Sequence, residues 1–329
     1  MSIDTLYVEE AVREHPRTLA ILSRFKSARV IQIDRYGDVF NAPAQNFRHQ
    51  KSNPALILAH KAGNRVLPTP PEYHIGGPHN YYFSHMLNCI YDCRYCFLQG
   101  MYKSANYVVF VNTDNFFSDI DQITLSHEGP VWFFSGYDCD SLALDPVTGF
   151  VNDCLDHFQS SERAYLELRT KSTQIRPLLS RKAMPNVVVA YSLSPQPVVA
   201  AEEHGTPSLQ KRLQALKKLQ QAGWSIGLRF DPLLYADNFE TLYGTFFDEV
   251  FNTLDMKAVH SISLGVFRLP KGFHKKLIRL YPEAQLLTAP ISENDGMISY
   301  PGDTEQAMQN FCMKTLARVT SPEQIFPCS

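Results

Sequence analysis

Three cysteines, Cys89, Cys93 and Cys96, fall in the run Asn88-Cys-Ile-Tyr-Asp-Cys-Arg-Tyr-Cys-Phe-Leu-Gln99. The C-x3-C-x2-C spacing suits three thiolates that bind three irons of a cubane cluster and leave the fourth iron open. An open iron can take a small molecule that chelates through an amine and a carboxylate, and a cofactor held there carries the hard chemistry. Structural zinc is the competing use. It wants four ligands, commonly two C-x2-C pairs or one pair with histidines. This chain has a single C-x2-C pair, and His79 and His85, upstream, are the residues that could complete a zinc site. Cys139, the next cysteine, lies among Gly136, Asp138, Asp140 and Ser141. That is a polar loop, so a functional thiol is expected rather than a small buried core residue. Cys154, Cys312 and Cys328 have no partner at ligand spacing and read as structural or incidental.

The elements that must hold these residues are set by hydrophobic periodicity. From about residue 78 strand-like runs at 80–86, 131–134, 164–169, 187–192, 225–230 and 259–265 alternate with helical patterns at 113–123, 148–159, 173–179, 208–222, 239–254 and 272–281. Six βα units predict an α/β protein with a parallel sheet and helices outside, either doubly wound or a partial barrel. In barrels chemistry sits at the C-terminal ends of strands, where the cysteine loop falls. A last helix is expected over 304–319. Residues 1–75 read as an N-terminal α/β extension: a helix over 9–25 bent or split at Pro16, then strands at 28–33 and 55–59. The Pro-rich run 67–71 marks a boundary, leaving 76–329 as the second unit.

Bulk properties narrow the function. The formal net charge is −2, which argues mildly against a protein that coats nucleic acid nonspecifically. Basic residues nevertheless gather at 268–279 and 211–218, each read as one face of an amphipathic helix. No apolar run approaches the roughly 20 residues of a membrane span, and the acidic first ten residues lack a signal-peptide core. No membrane association and a reducing, cytoplasmic compartment are therefore expected, which suits free thiolates.

The cysteine spacing resembles the signature of the radical S-adenosylmethionine superfamily. Trp132-Phe-Phe-Ser-Gly-Tyr-Asp-Cys-Asp-Ser-Leu-Ala-Leu-Asp145, Tyr95-Cys-Phe-Leu-Gln99, Leu168-Arg-Thr-Lys171 and Val39-Phe-Asn-Ala-Pro-Ala-Gln-Asn-Phe-Arg48 together resemble the spore photoproduct lyase family. The likeness runs from about Ile31 onward and is weakest in the C-terminal third. It implies a partial (β/α)6 barrel of the radical S-adenosylmethionine type, with the N-terminal extension and C-terminal helix. It also implies a 4Fe-4S cluster on Cys89, Cys93 and Cys96, S-adenosyl-L-methionine as cofactor, an electron donor of flavodoxin or ferredoxin type, and damaged DNA carrying a thymine photoproduct as substrate. By the same resemblance Cys139, fifty residues past Cys89, matches the hydrogen-donating cysteine. Ser141 matches a serine near the substrate, Lys171 a lysine near the cofactor, and Tyr95 the first of two tyrosines that return a hydrogen atom to the cofactor. A thiol is the weakest side-chain hydrogen donor available to quench a substrate radical, which gives Cys139 its physical logic. Ser192, Ser194, Arg229 and Asp231, at strand ends, are candidate cofactor contacts.

The chain departs from the family pattern at three places. Phe97 stands where the second tyrosine belongs, and phenylalanine has no O–H to give. Ser299-Tyr300 stands where an Arg-Tyr lesion contact belongs. Ser135-Gly-Tyr137 stands where many radical S-adenosylmethionine enzymes hold the methionine amino group with a Gly-Gly-Glu run, leaving backbone carbonyls or Asp138 to serve. Two other functions remain open on sequence grounds: a radical enzyme acting on a small molecule, peptide or RNA base, and a DNA-binding protein with a structural or redox cluster.

Overall fold

The structure, a computed structural model, describes residues 3–71 and 73–328; Met1, Ser2, Glu72 and Ser329 lie outside the described residues. Six strands build the sheet that carries the site: β1 (His79–Phe83), β2 (Val131–Ser135), β3 (Ala164–Thr170), β4 (Val187–Ser192), β5 (Ser225–Leu233) and β6 (Val259–Val266). They lie side by side in chain order, each parallel to the next. Val66–Pro68 closes one edge antiparallel to β1, and Ile325–Pro327 extends the other parallel to β6. β2 (VWFFS) and β4 (VVVAYS) are buried along their whole length. Such unbroken β-branched and aromatic runs suit strands covered on both faces, as a parallel sheet between its own polar interior and outer helices requires. The result is a curled, partial (β/α)6 barrel.

The outer helices follow the sequence pattern. Leu209–Gln221 buries Leu209, Leu213, Leu216 and Leu219, and the Ser208 hydroxyl accepts from Lys211 N at its start. Lys211, Lys217 and Lys218 stay exposed, whereas Arg212 from the same basic stretch turns fully inward. The expected helix over 9–25 is instead a strand (Thr5–Glu9), a 3-10 turn (Glu10–Val12) and a helix over Pro16–Leu22 with Pro16 in its first turn, where the missing N–H costs nothing.

A second sheet of five strands runs in the order Arg29–Ile33, Thr5–Glu9, Leu56–Ala59, Tyr107–Phe110, Met86–Leu87. Two of its strands come from beyond residue 75, and Leu56–Ala59 pairs in register with Tyr107–Phe110. Its core, including Leu6, Leu56, Leu58, Met86 and Val109, extends to Cys139. That cysteine thus lies where the second core meets the barrel. No helix among the described residues is long and apolar enough to cross a membrane.

Candidate active site

The C-terminal ends of the barrel strands converge on one cavity of about 720 Å³, within the range of small-molecule sites. Every strand delivers residues to it at or just beyond its own C-terminal end. The cysteine loop comes after β1, Gly136 to Asp140 after β2, Arg169 to Lys171 end β3, and Ser192 ends β4. Asp231 and Pro232 lie at the end of β5, and Phe267 to Pro270 come after β6.

Cys89, Cys93 and Cys96 all line this cavity, and so do Cys139 and Cys328. The loop that carries the first three is fixed by local chemistry. Asn88 is buried with φ +68°, a left-handed conformation that Asn tolerates. Its amide donates to Ser104 O (2.7 Å) and Asn106 O (2.8 Å). Cys93 sits in a short antiparallel pair with Glu203, and Cys96 precedes the Phe97–Met101 helix. Burial pushes the Cys89 thiol up to about 12, with Asp140 adding to the shift and Lys51 opposing it. Burial likewise raises Cys93 and Cys96. Among the described residues no three His, Cys, Asp or Glu side chains converge on a single-ion position. His79 stacks on His127 at 3.8 Å and His85 on Phe150 at 3.5 Å, so both histidines pack against rings. All three thiols open onto the same cavity, as ligands of one shared cluster must.

Cys139 is buried, contrary to the expectation of an open polar loop, yet its side chain still faces the cavity. The polar neighbours read from the sequence serve the loop's own backbone. Asp140 accepts from Leu142 N (3.0 Å), Ala143 N (2.9 Å), Thr170 Oγ1 (2.6 Å) and Lys171 N (2.6 Å), tying the Cys139 loop to the end of β3. Asp138 accepts from Ser84 Oγ at 2.6 Å and is not among the cavity residues. Burial holds the Cys139 thiol well above its ordinary value, so the sulfur keeps its hydrogen at neutral pH. His85 Nδ1 lies 3.8 Å from the sulfur. Burial lowers that imidazole to about 3, so His85 stays neutral.

The other expected residues divide. Lys171 lines the cavity, with its ammonium 5.6 Å from the Tyr95 ring centroid. Ser192 lines it too. Tyr95 forms part of the wall, but its hydroxyl donates to the buried Glu203 carboxylate, which also accepts from Ser194 Oγ (3.0 Å) and Arg212. Ser194 is therefore a support and not a wall residue. Ser141 pairs with Ser135 Oγ at 2.7 Å, and its N–H donates to Arg169 O, so it joins two strand ends behind the cavity. Arg229 is fully buried on Glu167 and Ser261 and is not among the cavity residues.

Sequence reasoning missed several residues. Arg169 reaches the cavity with Nε on Glu167 Oε1 (3.1 Å) and its guanidinium 4.8 Å from the Tyr73 ring. Arg268, also a cavity residue, bonds Asp231 Oδ1 at 3.2 Å. Phe97, Tyr137 and Tyr73 form an aromatic wall, with ring centroids 5.6 and 6.2 Å apart in succession. Cys328, set aside as incidental, is a wall residue because Ile325–Pro327 is recruited as an extra strand. Phe97 and Tyr137 were marked in the sequence as departures from an expected pattern, but only tertiary pairing places them beside Tyr73, Arg169, Arg268 and Cys328. The Ser299-Tyr300 pair is occupied elsewhere: Ser299 Oγ donates to Phe267 O, and the Tyr300 hydroxyl accepts from Tyr235 N.

The family model of spore photoproduct lyase matches residues 75–294, two thirds of this chain. This chain belongs to the spore photoproduct lyase family. It is 22% identical to the spore photoproduct lyase of Bacillus subtilis (strain 168) over 290 residues, covering 85% of this chain and 83% of that protein. It is 25% identical to the spore photoproduct lyase of Geobacillus sp. (strain Y412MC61) over 203 residues, 60% of this chain and 59% of that one. Its fold matches a spore photoproduct lyase variant with bound AdoMet and dinucleoside spore photoproduct, with a TM-score of 0.86, 18% identity, and coverage of 99% of this chain and 98% of that one. The family is one of radical S-adenosylmethionine lyases.

Proposed function

We propose that this chain repairs a thymine photoproduct in DNA, with Cys89, Cys93 and Cys96 holding a 4Fe-4S cluster and S-adenosyl-L-methionine in the cavity above β1 to β6. One observation carries the reading: the three cluster cysteines and Cys139 line the same cavity. The cavity fits the cofactor pair. Gly136 has φ +86°, and a Cβ there would lie 2.6 Å from Ser141 Oγ and 2.9 Å from Arg169 O, so its bare backbone forms the wall where many radical S-adenosylmethionine enzymes carry a Gly-Gly-Glu run. Asp138 points away to Ser84, leaving the Gly136 region to receive the amino group.

When bound, the cluster and S-adenosylmethionine supply a radical that removes one hydrogen atom from the substrate. The chain's own residues do the rest. Cys139, kept as a thiol by burial, gives a hydrogen atom to the substrate carbon radical left after bond scission. Phe97, Tyr137 and Tyr73 offer ring faces to an extruded base. Arg169, Lys171 and Arg268 make the wall cationic against Asp140 and Asp231. Arg169 and Arg268 thereby supply the positive contact that Ser299 cannot. Tyr95 holds its hydroxyl on Glu203 and Phe97 has none, so the thiyl radical left on Cys139 regains its hydrogen from one electron of the external donor and one proton from solvent, and the cofactor is consumed close to once per turnover. An electron donor of flavodoxin or ferredoxin type and a reducing, cytoplasmic setting complete the system.

The test is an anaerobic assay of reconstituted protein with dinucleoside spore photoproduct and a reductant. Repaired dinucleotide and 5′-deoxyadenosine are expected in near-equal amounts. Cys139→Ala should keep its iron and still form 5′-deoxyadenosine while clean product falls at least about tenfold, because the lost group acts only after the first hydrogen abstraction. Robust 5′-deoxyadenosine formation by the wild type with no repair would transfer the assignment to another substrate class. Normal repair by the Cys139 variant would return that residue to packing.

A further inference from the structure

Lys51 lies far from the cysteine motif in sequence, on the Phe47–Ser52 helix of the N-terminal segment. Its ammonium nevertheless reaches under the cysteine loop and donates to Cys89 O at 2.8 Å and Tyr91 O at 2.9 Å, with the Tyr107 ring centroid 5.8 Å away. Both polar partners are neutral carbonyls, so no acid in this contact cancels the charge. The support is rigid. The neighbouring Gln50 accepts from Ala105 N (3.0 Å) and Ser104 Oγ (3.2 Å), gripping the far end of the same loop. Two carbonyls could be satisfied by any donor. A full positive charge against the loop is better explained by negative charge on the cavity side.

We propose that Lys51 is an electrostatic support for the cluster, pinning the backbone of the first ligand and raising the reduction potential of the iron–sulfur group held by Cys89, Cys93 and Cys96. This rests on the reading above that these cysteines bind a cluster. The charge sits directly behind the backbone of the first ligand and of the residue two positions on. Reduction brings one electron from an external low-potential donor onto the cluster and needs no proton. A fixed cation in a wall of low dielectric favours the more negative, reduced form, and hydrogen bonding and charge around the ligands are known levers on such potentials. Lys51 acts through the ligand loop, so it is a positioning and tuning residue.

Three variants separate its two roles. Lys51→Gln keeps a donor without charge, Lys51→Met keeps neither, and Lys51→Arg keeps the charge. Each is reconstituted anaerobically, assayed for iron, and titrated potentiometrically by electron paramagnetic resonance. Wild type and Lys51→Arg should share a midpoint potential, and Lys51→Gln and Lys51→Met should shift to more negative values. If the two neutral variants lose iron while Lys51→Arg retains it, the charge is needed even to keep the cluster, which also supports the proposal. A Lys51→Gln protein that holds its cluster at an unshifted midpoint would overturn it, as would loss of iron in all three variants. A wild-type protein that takes up no cluster would instead strike the reading beneath.

Discussion

Arg229 and Arg212 are the two fully buried arginines among the described residues, and each is neutralised by a buried glutamate. From the sequence Arg229 is a strand-end cation near a candidate pocket. In the fold it closes a buried polar plug: Nη2 lies 2.5 Å from Glu167 Oε2, Nη1 donates to Ser261 O at 3.0 Å, and Arg169 Nε meets the other Glu167 oxygen at 3.1 Å. Removing one partner of such a pair leaves an uncompensated buried charge, so Glu167→Gln should lower stability by about 3–5 kcal/mol in urea unfolding. Burial alone would raise the Glu167 carboxyl, but Arg229 and Arg169 outweigh it and hold the group below its ordinary value. A depressed folded value means stabilisation that is present above the unfolded value, roughly 4.3, and is lost as pH falls through the folded one. Wild-type stability should therefore drop with acid below about pH 4.3, and the Gln variant should lack that component; an identical acid profile would assign Glu167 no ionic role. Cys89, Cys93 and Cys96 could be brought to one cavity from the sequence alone because their spacing is local. Arg169, Lys51, Glu203 and Cys328 could not, because each reaches the site from a distant segment through strand register or helix packing that one sequence does not display.

The helix over Lys271–Leu280 makes the same point one level up. Its basic composition is plain in the sequence, but its orientation is not. Gly100 allows Phe273 close, since a Cβ on Gly100 would collide with the Phe273 side chain. That approach turns Lys276 inward onto the carbonyls of Gly100 and Tyr102. Lys275 and Arg279 remain exposed. If this face follows a DNA backbone, alanine at both positions should reduce the slope of log affinity against log salt by about two units, near 0.9 per phosphate contact. Lys276→Ala should leave the slope unchanged, and a slope insensitive to the double change would make the helix a plain solvated face. Most of the barrel strands were readable as largely buried runs of apolar residues, whereas β1 (HNYYF) is half-buried and carries no β-branched residue. Tyr107–Phe110 and Ile325–Pro327 were overlooked because three or four residues carry too little pattern, although they complete two sheets.

The whole molecule is laced together across residue 75. Leu56–Ala59 pairs with Tyr107–Phe110, Arg65 forms a two-point ion pair with Asp119 (2.7 and 2.8 Å), and Arg17 reaches Asp153 and Thr148 O. A chain begun at residue 76 would expose the edge of Tyr107–Phe110 and half of the second core. We expect it to fail to unfold cooperatively, while the full chain melts in one transition by both circular dichroism and tryptophan fluorescence; a soluble, cooperative fragment would show two independent units. Five of the seven cysteines face one cavity, whereas Cys154 and Cys312 sit in the core. That layout bears on how the protein must be handled. Exposed to air without its cofactors, the cavity is a small vessel walled with thiols, in which an oxidised sulfur has neighbours to attack it. Inactivation in air would then be an internal cross-linking that a thiol reductant reverses, until oxidation passes the sulfenic stage and the wall is chemically spent.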